Sequence, residues 1–396
     1  MRSLLINTGL ALLVFALPLR AQSNKLQDSI PYMKLVLENN PTLRAAREAY
    51  QMEILQASTG NTPPDPEIEF GYLFGKPVEM GNRIDFSVNQ QVDFPTTYIH
   101  RSRVRKIRSS LAELEYMSVR QEILLKAREL WIEGIYLNNH LELLEERLSG
   151  AREIQQGFLQ KVAAGEEGQL SLNQARLHLL NLEAEYEQVR TDIQDNQLSL
   201  NEITGGSDQQ ITTSLLPLGS TIIGDSILAA YLQSPELLLY QQELELKKEE
   251  KNLAVSQNLP GISTGYYSES VLDQKFKGFH IGITVPLWEN ANKIKNARSE
   301  VIFAEVDLER FNAQQEKAVL QKLNQLENLD TRIELFEEAL EEGNTMELLA
   351  FSMQSGEISL TEYFYSSDFH FRNQQLLLEY RKERLLLEAK LLKVYL

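Results

Sequence analysis

The chain carries one plan twice. The stretch "NPTLRAAREAY" from Asn40 is answered by "SPELLLYQQEL" from Ser234, which sets Pro41 on Pro235 at an offset of 194. The same offset sets Pro66, before "EIEFGY", on Pro260, before "GISTGY", and an offset of 195 sets Ile84 to Phe94 on Phe279 to Glu289. Farther on, "GQLSLNQA" from Gly168 meets "GEISLTEY" from Gly356 at an offset of 188. Four anchors in one order mark a duplication legible over residues 30–204 and 226–396. Each half holds few strands and long helices and cannot close a core alone. The duplication therefore predicts a pseudo-symmetric ring or barrel rather than two independent globular domains.

The strand candidates alternate cleanly. Ile84, Phe86, Val88, Gln90, Val92 and Phe94 interleave with Asp85, Ser87, Asn89, Gln91 and Asp93, giving one nearly apolar face and one polar face. Ile68, Phe70, Tyr72 and Phe74 alternate with Glu67, Glu69 and Gly71, and Phe279, Ile281, Ile283, Val285 and Leu287 alternate with His280, Gly282 and Thr284. Such strands suit a boundary between lipid and water, and each approaches the ~9–11 residues that a tilted membrane strand needs. Phe86, Val88, Ile281 and Ile283 are the lipid-facing candidates. An amphipathic hairpin on a soluble core fits the same alternation.

The amino terminus favours export. Arg2 precedes the nearly unbroken apolar stretch from Leu4 to Leu19, and Leu19-Arg20-Ala21 leads into a polar run, so residues 1–21 read as a signal peptide cleaved after Ala21. No later segment is apolar and long enough to read as a membrane helix. If the mature chain enters a membrane, it does so as strands. Four strands leave two unpaired edges, and unsatisfied backbone groups in hydrocarbon cost several kcal/mol each, so closure requires other copies. Three copies supply twelve strands, an even number within the range of such barrels, whereas two supply eight with little open lumen. The absence of cysteine excludes a lipobox, a disulfide and a thiolate metal site. The formal charge of -17 makes nucleic acid a poor partner and favours cations or neutral solutes as passengers.

The helices are predicted as the main structure. Residues 97–163 contain no proline, and at ~1.5 Å per residue would reach roughly 100 Å. Within them Ala127, Leu130, Gly134, Leu137, Leu141, Leu144, Leu148, Ala151, Gln155, Phe158 and Val162 are spaced alternately three and four apart. Leu172, Ala175, Leu179, Leu182, Tyr186, Val189, Ile193, Asn196, Leu200 and Ile203 repeat that spacing in a return helix over 169–204. A period of 3.5 residues predicts a coiled-coil seam. Gly165 and Gly168 serve a tight reversal between these helices, and Gly356 serves the equivalent one between helices over 292–353 and 358–395. Phe364, Phe371, Leu378, Leu385 and Leu392 recur every seventh residue along the last helix. The predicted layout is a first repeat over 22–205 with strands at 67–75 and 84–94, a linker over 206–225, and a second repeat over 226–396 with strands at 262–268 and 279–288.

These residues resemble the TolC-like outer-membrane efflux proteins, and the resemblance covers nearly the whole mature chain. The duplicated "NPTL" and "SPEL" helix starts, the strands ending in "QQVDFP" and "TVPLW", and the Gly-x-x-Ser-Leu-x-[Gln/Glu] tips occur in that family's order. The resemblance implies a homotrimer whose strands join in a twelve-stranded β-barrel and whose hairpins form an α-helical barrel reaching into the periplasm. It also implies docking of the tips to a periplasmic membrane-fusion adaptor and an inner-membrane transporter of RND type, and contact with outer-membrane lipid. Heavy-metal cation pumps, drug pumps and type I secretion systems all use such ducts. An acidic ring lines the periplasmic entrance in many members. Glu362, six residues after Gly356, matches one of its positions, and Tyr365 stands where a second would fall. Glu357, and Glu166 and Glu167 in the first tip, add negative charge. Like charges gathered by threefold symmetry attract cations; the alternative is that each merely complements a helix dipole.

Other residues point to no chemistry. His100, Arg101, Arg103, Arg105, Lys106 and Arg108 form a basic run after the second strand, suited either to anionic headgroups or to a solvated helix start. The histidines show no metal-ligand spacing, and no nucleophile, base and orienting group recur together. No phosphate loop or zinc motif appears. The sequence therefore predicts no enzyme, no cofactor and no metal site. A periplasmic coiled-coil adaptor is the rival class, but it would carry one hairpin flanked by all-β domains.

Overall fold

The computed structural model describes residues 33–207, 216, 219, 222–286, 288, 290–341 and 344–396. The expected signal peptide over 1–21 lies outside the described residues, as does most of the 206–225 linker. The chain forms two compact units, and each takes segments from both sequence repeats. The two compact units thus do not coincide with the two repeats.

One unit, residues 46–118 and 233–315, is built on a sheet. Its strands are β1 (Glu67–Leu73), β2 (Arg83–Val92), β3 (Gly261–Val271) and β4 (Gln274–Thr284), antiparallel in the order β1-β2-β3-β4. Register sets Ile68, Val88, Tyr266 and Phe279 in one row, and Glu67, Asn89, Gly265 and His280 in the next. Because side chains alternate, the rows sort onto two faces. Helix α2 (Pro41–Ser58) leads to β1, α3 (Pro95–Ala163) leaves β2, α6 (Pro235–Ser256) leads to β3 and α7 (Lys293–Glu341) follows β4. All four helical connections therefore meet one end of the sheet, and both hairpin turns lie at the other.

The strand limits differ from those expected. The duplicate strand expected at 279–288 spans Gln274–Thr284, and the one expected at 262–268 spans Gly261–Val271. Leu272 and Asp273 both adopt left-handed backbone, at φ 47° and 63°. That is the geometry of a two-residue hairpin turn, so pairing continues right up to it. At the other end Pro286 has no N–H to give a ladder. β1 and β2 likewise stop short of the expected 75 and 94.

The second unit, residues 33–45, 119–232 and 316–396 as far as described, is helical. It adds α1 (Met33–Asn39), α4 (Gln169–Ile203), α5 (Gly224–Tyr231), α8 (Thr345–Gln354) and α9 (Leu360–Leu391), with a terminal 3-10 turn over Leu392–Tyr395. Leu137, Leu144, Leu148 and Ala151 of α3 are buried with Leu182 and Val189 of α4, and Leu141, Leu179, Tyr186 and Ile193 pack on them. Nearer the tips Ile154 and Phe158 meet Leu172, Ala175 and, from α9, Leu360 and Phe364. These two clusters are therefore the seam between one hairpin of the first repeat and the last helix of the second, while Ile227 of α5 is buried with Val319 and Leu326 of α7. Glu388 is 1 % exposed and ties three helices, lying 3.6 Å from Arg128 and 2.6 Å from Arg384, which also meets Asp330 at 2.6 Å.

The helix expected over 292–353 is not continuous. α7 ends at Glu341 and α8 starts at Thr345, with Asn344 between them left-handed at φ 46°. Asparagine is among the few side-chain-bearing residues that tolerate this conformation. Similarly α9 begins at Leu360, two residues later than expected, because Ser359 is its N-cap.

The repeated "NP" and "SP" dipeptides are helix starts. Asn40 Oδ1 accepts from Leu43 N at 2.9 Å, and Ser234 Oγ accepts from Leu237 N at 3.3 Å. Proline follows each cap at the first helical position, where its missing N–H costs nothing.

Candidate channel surfaces

The sheet's two faces differ sharply in chemistry. On one, Ile68, Phe70, Tyr72, Ile84, Phe86, Val88, Ile262, Phe279, Ile281 and Ile283 share the alternation. Phe70 is 70 % exposed, Phe279 87 %, Ile281 81 % and Ile283 69 %, while Phe86 is exposed and Val88 half-buried. Exposed apolar side chains grouped on one face call for an apolar neighbour. The opposite face carries Glu67, Glu69, Asp85, Asn89 and Glu269. Arg83 Nε lies 2.8 Å from Asp85 Oδ1 and 3.2 Å from Glu269 Oε1, and Arg83 Nη2 donates to the Tyr267 hydroxyl at 3.0 Å. β1 and β4 are open edges.

Both helical tips reverse by one mechanism. Gly165 N donates to Val162 O at 3.1 Å and Glu166 N to Lys161 O at 2.9 Å; Gly356 N donates to Met353 O at 3.2 Å and Glu357 N to Ser352 O at 2.8 Å. Each is a Schellman closure, and each glycine sits at φ 75°, where a side chain would be strained. Gly165, not Gly168, is thus the counterpart of Gly356. Gly168 is the extended N-cap of α4, its N–H 3.3 Å from Glu167 Oε2, which also accepts from Ser171 Oγ at 3.2 Å.

Glu362 has a local partner. Its Oε2 accepts from Ser359 N at 2.8 Å while its own N–H donates to Ser359 Oγ at 3.1 Å, a complete capping box. Those bonds to Ser359 hold the carboxyl below the usual carboxylate range. One carboxylate oxygen remains outside this arrangement. Glu166, Glu357 and Glu362 are all exposed, and Glu167 is half-exposed. Tyr365 stands apart from these carboxylates in character: it is 54 % exposed and lines an apolar cavity of about 730 Å³ with Leu335, Phe336, Leu349 and Phe369.

The helical unit also holds a polar cluster that the sequence reading missed. Arg147 Nη2 lies 3.3 Å from Asp368 Oδ1, Arg372 Nε 2.7 Å from Asp368 Oδ2, and His178 Nε2 3.8 Å from Asp368 Oδ1. His140 Nε2 lies 3.3 Å from Glu185 Oε1, which also accepts from Gln375 Nε2 at 3.3 Å. Burial lowers the His178 pKa despite Asp368, and Arg147 and Arg372 lower it further. The His140 ring holds the Glu185 carboxyl below its ordinary value. A signal existed: His140 and Arg147, His178 and Glu185, and Asp368 and Gln375 are each seven apart, and the first four directly precede seam residues.

The basic run finds carboxylates. His100 Nδ1 lies 2.6 Å and Arg103 Nη1 3.6 Å from Glu249 Oε1, Arg101 pairs with Asp93 at 2.8 Å, and Arg108 with Glu250 at 2.9 Å. Much of its charge is thus engaged by the β2 exit and by α6.

No protein-family profile and no curated protein matches the chain. Solved structures do. The Campylobacter jejuni CmeC outer membrane channel aligns over 94 % of this chain and 85 % of its own, with TM-score 0.73 at 17 % identity. The Vibrio cholerae outer membrane protein VceC aligns over 95 % and 96 %, with TM-score 0.75 at 15 % identity. This chain has the outer-membrane channel fold. The Neisseria gonorrhoeae MtrE outer membrane channel shares it as well, over 95 % and 88 %, with TM-score 0.71 at 14 % identity. The channel fold is the one implied by the TolC-like resemblance, and its mainly helical build with a small antiparallel sheet is the fold class expected. At such identities the likeness speaks to the fold; the gate, lipid and tip assignments depend on this chain's own residues.

Proposed function

We propose that three copies of this chain form an outer-membrane channel, the exit duct of a tripartite efflux pump. The observation that carries the reading is the sheet: exposed apolar rows on one face, carboxylates and amides on the other, and two open edges. In hydrocarbon those edges must pair. Joining β4 of one copy to β1 of the next closes twelve strands with the apolar rows toward lipid and the polar rows toward a lumen. The channel fold shared with CmeC, VceC and MtrE supports the same reading.

Within it, the two tips dock to a periplasmic adaptor and thereby to an inner-membrane transporter, of RND type. Glu362 serves the entrance through the carboxylate oxygen left outside its capping box, with Glu357 and the first-tip Glu166 and Glu167 adding negative potential. Four sheet carboxylates on the lumen face, Glu67, Glu69, Asp85 and Glu269, favour cationic or neutral cargo. The pump's other parts, not the duct, would choose among metal ions, drugs and polypeptides.

Fractionation of cells expressing the full chain, followed by single-channel recording of the purified protein in planar bilayers, tests the reading. Outer-membrane recovery and a cation-preferring conductance are expected. Recovery as a soluble periplasmic protein without conductance would remove it.

A further inference from the structure

Charge is segregated across the sheet in an unusual way. All four of its carboxylates, Glu67, Glu69, Asp85 and Glu269, lie on the polar face, together with its one arginine, Arg83. Lys275 and Lys277 lie on the other face. In β4 they continue the alternation of Phe279, Ile281 and Ile283, and across the ladder they oppose Ser270 and Ser268. Both are exposed, and neither has an ion-pair or hydrogen-bond partner among the described residues. Two unpaired ammonium groups therefore stand at the hairpin end of the face that carries Ile68, Phe70, Phe279 and Ile281.

Lysine at the lipid midplane is costly, and the cost nearly vanishes at the interface. Their place within the first four residues after the Leu272–Asp273 turn sets them at the membrane boundary away from the helices. Their side chains are long enough to carry the charge outward, away from Phe279 and toward the turn end of the strand. Lysines also guard open edges against unwanted pairing, but β4 is an edge that the channel must pair, so a guard there would work against assembly. A headgroup anion explains both the charge and the depth.

We propose that Lys275 and Lys277 form a lipid-phosphate site, in which the ammonium groups bind phosphates of lipids in the leaflet at the hairpin end of the sheet. The proposal rests on the membrane-spanning reading of the sheet. Three copies would place six ammonium groups around the barrel rim, repeated at each β4 edge. The ligand class is a phosphorylated membrane lipid, bound through its headgroup anion rather than its acyl chains.

The test compares full-length wild type with the Lys275→Gln/Lys277→Gln double variant, both purified from the outer-membrane fraction, by native mass spectrometry during titration with diphosphoryl lipid A. Dephosphorylated lipid A and inorganic phosphate are the competing arms. Wild type should bind the diphosphorylated lipid roughly tenfold or more tightly than the variant, given the attraction of each basic residue to an anionic surface. Both proteins should bind the dephosphorylated lipid equally, and millimolar phosphate should not displace the lipid. Equal binding of diphosphoryl lipid A by the two proteins, or displacement by free phosphate, would overturn the site and leave the channel reading intact. Failure of wild type itself to reach the outer membrane would remove the channel reading and this proposal together.

Discussion

At the scale of single residues, Glu362 is a helix cap in the structure and a gate carboxylate in the proposal. Its carboxylate caps its own helix through one oxygen, so truncation to alanine would remove a cap and a charge at once. Glu362→Gln separates them, because glutamine keeps the capping geometry. If Glu362 lines a threefold entrance, the Gln variant should assemble normally yet lose block by a trivalent cation such as hexamminecobalt applied from the periplasmic side. Unchanged block would leave the residue as a helix cap alone. Two histidines of the helical unit, His178 half-buried and His370 buried, make a prediction in pH. Burial lowers the pKa of His178 and of His370 below the ordinary 6.5, so the folded chain takes up protons less readily than the unfolded one. Their contribution to stability is therefore full above 6.5 and falls as pH drops through that value toward the folded-state pKa. The groups facing them are Asp368, Arg147 and Arg372 at His178 and Glu146 at His370. Thermal midpoints of wild type should fall between pH 7.5 and 5.5, and His178→Gln/His370→Gln should flatten that fall. Glu362 and Glu185, both depressed, add acid lability only below about 4.5, a separate window.

At the scale of elements, β2 offers the sharpest contrast. Val88 and Asn89 are neighbours in sequence but belong to opposite faces, since Val88 pairs with Ile68 and Tyr266 and Asn89 with Glu67 and Gly265. Val88→Arg should impair outer-membrane assembly, because arginine on the lipid face costs ~2–4 kcal/mol per copy near the midplane. Asn89→Arg should assemble. Heat-modifiable mobility on gels reads both, and equal tolerance would mean that the strand does not span lipid. The helices carry a different logic. Their seams are apolar at 3.5-residue spacing, and the polar cluster at His140, Arg147, His178 and Glu185 occupies the positions just ahead of the seam. Packing holds the hairpin together, while the flanking charges join it to Asp368 and Gln375 of α9.

At the scale of the whole molecule, the open sheet edges and the exposed residues on α7 ask for other copies. Phe303 and Ile302 are 71 % and 60 % exposed in the sheet unit. The purified chain in detergent should have the mass of a trimer by light scattering. Because the chain has no cysteine, introduced pairs report cleanly. Ile68→Cys combined in turn with Phe279→Cys, Ile281→Cys or Ile283→Cys should give covalent ladders ending at three copies for at least one pair. A monomeric mass with no cross-link from any pair would end the closed-barrel proposal.

Periodicity is local, and that is why so much was legible in sequence. The alternation at Ile84 to Val92 and the three-four spacing from Ala127 to Val162 are consequences of two- and 3.5-residue geometries, which residue order alone records. The capping box was not read from the sequence, although Ser359 and Glu362 stand three apart there. The outer-membrane channel resemblance rested on several such local signals falling in one order. Tertiary structure decided what depends on partners distant in the chain. β4 reaches back to Gln274 because Val271 opposes it across a tight turn, not because its own pattern requires it. α7 stops at Glu341 and a separate helix starts at Thr345 past left-handed Asn344, where one unbroken helix was expected. The Asp368 cluster and the Glu388 ion pairs join helices more than two hundred residues apart in sequence. Spacing within one helix fixes a face, but only packing chooses what that face meets.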